Sequence, residues 1–141
     1  MSLLPALEEA FHKYFQDIFS ELKLDRSETY SAGSGAIITF RNENLKVRLV
    51  DEWGLLGAEI SAVQEENYFH TDLINLLLNL EEIKNLNLGQ FARMQLFAKR
   101  LDLKEQAKFI YDHWTNLVLL FDPQNLDATK EKLANLGWER A

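Results

Sequence analysis

Residues 35–63 read GAIITFRNENLKVRLVDEWGLLGAEISAV, and their pattern decides the fold. Leu45, Val47 and Leu49 alternate with Lys46 and Arg48, giving a strand one apolar and one charged face. Such alternation marks an antiparallel sheet with one face on a core and the other in water. The run before it puts Ala36, Ile38 and Phe40 on one side and Ile37, Thr39 and Arg41 on the other. The run after it sets Leu56, Ala58, Ile60 and Ala62 against Leu55, Glu59, Ser61 and Val63. Asn42-Glu43-Asn44 is a short polar connector, and asparagine tolerates the backbone a tight hairpin needs. Asp51-Glu52-Trp53-Gly54 is the second connector, with Gly54 able to take a positive φ. These runs predict a three-stranded antiparallel meander, which needs helices over its apolar face.

The flanks supply those helices. Leu4, Leu7, Phe11, Phe15, Ile18 and Leu22 recur at steps of three and four, predicting one helix over 3–23 that Ser2 can cap. Residues 24–35, rich in Ser and Gly, read as a loop, and 64–70 as a polar connector. Thr71 caps a helix running to about Leu80. The run NLNLG at 85–89 reads as a turn or an extended piece. A short helix over 90–100 would point Phe91, Met94 and Phe97 inward. Asp102 and Glu105 form a capping box for a helix reaching Phe121, with Trp114 in its core stripe. Asp122-Pro123 signals a last helix, Gly137 its end, and Trp138 a residue packing back on that end. The fold class is α+β: an N-terminal helix, the meander, then about four helices packed on one face. No repeat or linker composition divides residues 1–141, so one domain is expected.

Composition excludes several function classes. With no cysteine, disulfides and thiolate metal sites are ruled out. No apolar run approaches the ~20 residues of a membrane span, and the N-terminus lacks the pattern of a signal peptide, so a cytoplasmic protein is expected. The net charge of −7 argues against nucleic acid and anionic membrane surfaces as partners and suits a basic protein.

The C-terminal run LFDPQNLDATKEKLANLGWERA, following a helix-then-meander start, resembles small uncharacterised bacterial proteins that carry a domain of unknown function. Leu120, Phe121, Pro123, Asn125, Leu126, Thr129, Leu133, Leu136 and Arg140 carry the likeness. It implies a bacterial source and transfers no activity, ligand or catalytic residue.

Few residues are spaced for chemistry. His12, His70 and His113 are never three or four apart, so no helix presents a histidine pair to a metal. His70 and Asp72 need a distant carboxylate to complete a cation site. The Ser31–Gly35 loop precedes a strand rather than opening a helix, the reverse of a phosphate cradle. Neither a catalytic residue nor a cofactor or metal site is therefore assigned. A pocket between sheet and helices would need Tyr68, His70 and Arg93 to converge, and with it the chain would be a ligand-binding protein or an enzyme. The favoured expectation is a non-enzymatic acidic interaction module: an adaptor, chaperone-like or immunity-type inhibitor. Its candidate contact residues are Asp51, Glu52, Trp53, Glu65 and Glu66, with the two acidic pairs at opposite ends of the third strand.

Overall fold

The computed structural model describes residues 3–82 and 89–140, without the side chains of 90, 91 and 138–140. The cap at Ser2, the NLNLG run up to residue 88, and the inward packing of Phe91 and Trp138 lie outside the described residues.

The chain is a mixed α+β fold built on a five-stranded antiparallel sheet in the order β1-β2-β3-β4-β5. The expected meander forms its centre as β2 (Gly35–Arg41), β3 (Leu45–Glu52) and β4 (Leu55–Ala62). Two further strands correct the expected three. β1 (Asp25–Ala32) occupies the expected loop, and β5 (Phe69–His70) ends the expected connector. Every side chain of β1 is exposed, so it has no apolar alternation to read. Its backbone ladder with β2 defines it, with an irregularity between Arg26 and Glu28. β5 is two residues long, paired with Glu59 and Ile60.

The inner face of the sheet follows the alternation. Ala36, Ile38, Phe40, Leu45, Val47, Leu49, Ala58, Ile60 and Ala62 are all buried in one core cluster. The N-terminal helix contacts β2 and β3, while α3 (Thr71–Glu82) and α5 (Leu103–Asp112) contact β4. The N-terminal helix is not uniform. α1 (Leu4–Ala10) passes through a π-helical stretch at Phe11–Phe15 into α2 (Gln16–Glu21). The wider turn shifts the apolar stripe, so Phe15 and Phe19 are buried while Ile18 is half-buried. Phe11 stacks on Phe40 at 4.8 Å, and Phe19 meets the same ring edge-on at 4.9 Å. Lys23, at φ 59°, ends α2 in a Schellman turn, with Leu24 N–H donating to Phe19 O and Lys23 N–H to Ser20 O.

The later helices depart from expectation in detail. The long helix divides at His113 (φ −107°, ψ 16°) into α5, with its capping box, and α6 (Trp114–Leu120). Trp114 is half-buried at the core's edge. In α4 (Gln90–Ala98) Phe97 packs on the core, but Met94 is 60% exposed. Asp122 caps a turn by accepting from Gln124 N–H, so α7 begins only at Leu126 and runs through Gly137 to Arg140.

Candidate functional site

The outer face of the sheet is built from four cross-strand rows, fixed by strand register. They are Asp25–Arg41–Lys46–Ser61, then Glu28–Thr39–Arg48–Glu59–His70, then Tyr30–Ile37–Val50–Gly57, and last Ala32–Gly35–Glu52–Leu55. Residues 63–68 fold back over the first two rows. The Glu65 carbonyl accepts from Lys46 Nζ and from Ser61 Oγ, while the Glu66 carboxylate takes a second Lys46 hydrogen bond at 3.0 Å. The Tyr68 ring lies over the Arg48 guanidinium at 4.0 Å, and Arg48 Nε also donates to Glu59 at 2.5 Å. Burial, reinforced by the Glu66 carboxylate, pushes the Tyr68 hydroxyl above its ordinary pKa. Under this cover Lys46 is 5% exposed.

The last two rows have no such cover, and they end at the Trp53-Gly54 turn. Trp53 has φ 55° and Gly54 φ 86°, so both central residues of a two-residue hairpin turn are left-handed, as type I′ requires. Asp51 Oδ1 accepts from Gly54 N–H, and Trp53 N–H donates to the Ser34 carbonyl of the adjoining hairpin. The Trp53 side chain is 78% exposed, as is Leu55, and Tyr30 is 60% exposed. The other large exposed apolar side chains among the described residues, Met94, Tyr111 and Leu119, sit on three different helices.

Two shallow grooves border this end. One, of about 470 Å³, is lined by Val50, Glu52, Trp53, Leu55, Gly57, Glu59 and His70, among others. The other, of about 520 Å³, runs from Tyr30 past the Gly33–Gly35 turn to Val50, Glu52 and Glu59. His70 is fixed in the first groove because its Nδ1 accepts the Asp72 N–H at 3.0 Å. Its Nε2 then lies so near Gly57 that a Cβ there would be 2.7 Å away. The glycine lets ring and strand approach.

The five expected contact residues separate. Glu52 and Trp53 are exposed together on the open end. Asp51 is 1% exposed, its carboxylate spent on the turn rather than presented to a partner. Glu65 and Glu66 lie beyond the other end of β4, where Glu65 pairs with Lys130 at 2.7 Å. Tyr30 and Leu55 complete the patch and were not singled out in the sequence. Tyr30 stood in an apparent loop, and Leu55 was indistinguishable from a strand residue covered on that face.

Tyr68, His70 and Arg93 take separate roles. Tyr68 covers Arg48, His70 borders the groove, and Arg93 lies 5.1 Å from the Phe97 ring on α4. Among the described residues no group of three or more His, Asp or Glu is placed to hold a metal ion. Nor is any helix among them long and apolar enough to cross a membrane. No protein-family model, curated protein or solved structure matches the chain.

Proposed function

We propose that this chain is a non-enzymatic interaction module, of adaptor, chaperone-like or inhibitor type, that binds a basic protein through the Trp53 end of its outer sheet face. The observation that carries this reading is Trp53 itself. A left-handed backbone costs a non-glycine residue roughly 1–2 kcal/mol, and a tryptophan that is 78% exposed recovers little of that by packing. Asparagine or glycine suits the position better in the isolated fold. Backbone strain of this kind, carried by a large side chain that the turn itself does not require, is characteristic of contact and switch positions. Tryptophan and tyrosine are also the side chains that most often anchor protein interfaces, since they bury a large rigid area.

The net charge of −7 and the exposed Glu52 support a basic partner, attracted at long range by complementary charge. The test is affinity capture from cells that express the chain, with wild type and Trp53→Asn as baits at low and raised salt. One basic protein retained stoichiometrically by wild type, lost with Trp53→Asn and weakened by salt, is the expected result. Equal retention by both baits removes Trp53 from the contact and contradicts the proposal.

A further inference from the structure

We infer that the groove beside Trp53 is a slot for one arginine side chain of the protein partner, with Glu52 as its counter-ion and the Trp53 indole as its stacking wall. This deepens the proposed interaction surface and rests on it.

The charges in the groove select the ligand's sign. Its titratable lining is Glu52, Glu59 and His70. Glu59 is already neutralised by Arg48 at 2.5 Å, and His70 Nδ1 is turned to Asp72, 3.0 Å from its backbone N–H and 3.5 Å from its carboxylate, rather than to Glu52. Among the described residues no cation lies within ion-pair distance of Glu52. The groove therefore holds one uncompensated negative charge.

The apolar lining selects the ligand's shape. Val50, Leu55 and Leu56 line the groove, with Gly57 contributing no side chain. Such a channel suits a methylene stem carrying a polar head, the build of arginine and lysine. Arginine is favoured because its planar guanidinium stacks on an aromatic face and meets a carboxylate through two parallel hydrogen bonds. Lysine offers a compact, strongly hydrated charge that profits less from a wall open to water. The same molecule already uses this chemistry two rows away, where Arg48 lies against Tyr68 and bonds Glu59.

The experiment is an NMR titration of the full chain with three capped pentapeptides, Gly-Ala-Xaa-Ala-Gly, where Xaa is arginine, lysine or citrulline. Citrulline keeps the size and planarity of the head and removes its charge. The arginine peptide should shift the Trp53 indole and the amides of residues 52–57 saturably, with millimolar affinity. Citrulline should give no localised shift, lysine should bind at least threefold more weakly than arginine, and Glu52→Gln should weaken arginine at least threefold. Equal shifts from citrulline, shifts spread over all exposed carboxylates, or an unchanged affinity in Glu52→Gln would each overturn the slot. Lysine binding as tightly as arginine would overturn the choice of arginine. If the slot fails while capture of the partner still depends on Trp53, the slot alone is wrong. If capture is indifferent to Trp53, the surface itself is wrong.

Discussion

Tyr68 and Tyr30 lie on the same face of the same sheet, yet they do opposite things. Tyr68 closes over Arg48, and with Glu65 and Glu66 it helps seal Lys46 from water. Tyr30, in the adjacent row from Arg48, is 60% exposed and shares its end of the sheet with Trp53 and Leu55. One half of the face is finished within the chain, whereas the other is left as aromatic and apolar surface. The difference separates residues that hold the fold from residues available to a partner.

Matched substitutions sharpen that contrast. Tyr68→Thr removes the ring from Arg48 and opens the cover over Lys46. A cation–π contact is worth roughly 0.5–2 kcal/mol, and with the lost apolar burial the variant should be destabilised by about 2 kcal/mol in urea. A loss as small as that of a surface substitution would mean that the cover is not structural. The next largest effect is expected at the border, from Gly57→Ala. Its Cβ would meet His70 Nε2 at 2.7 Å, so the ring must shift, which strains its hydrogen bond with Asp72 N–H. Overpacking of this kind should cost about 1–2 kcal/mol, and the His70 ring signals should move with it.

β1 offers a pH test of how its exposed strand is held. Arg26 reaches across to Glu8 on α1 with two hydrogen bonds, of 2.5 and 3.1 Å, and its guanidinium lies near the Phe11 and Phe40 rings. The Arg26 bonds hold the Glu8 carboxyl below its ordinary pKa, burial opposing them. A carboxyl depressed in the folded state stabilises above its unfolded pKa and loses that stabilisation as pH falls through the folded value. Glu8→Gln should therefore flatten part of the loss of stability below about pH 4.3, whereas an unchanged acid limb would exclude this tie. The smallest effect belongs to Tyr30→Thr, which keeps a strand-forming residue and removes an exposed ring. Its stability should stay within about 0.5 kcal/mol of wild type, while partner capture falls.

Legibility followed the physical source of each element. The meander was readable because burial of one face writes period-two alternation into Ala36, Ile38, Phe40, Leu45, Val47 and Leu49. β1 was not, because backbone pairing alone makes it a strand and DRSETYSA carries no apolar face. The π-helical stretch at Phe11–Phe15 and the break at His113 were hidden because local backbone geometry interrupts apolar patterns that continue across them. At the candidate site, Trp53 stood out as an aromatic in a connector. Its left-handed backbone was not readable, since Gly54 beside it was enough to explain a turn. The burial of Asp51 was likewise invisible, because an acid beside a turn reads equally as a surface charge or as its cap.

The most direct measurement is the urea unfolding of Trp53→Asn beside its capture of the partner. Asparagine keeps the N–H that bonds Ser34 and accepts the left-handed backbone, so the variant should be more stable than wild type by about 1 kcal/mol and should lose the partner. A Trp53→Asn protein that is less stable than wild type and still binds would make the tryptophan a fold residue, contradicting the division of the outer face into a finished half and a contact half.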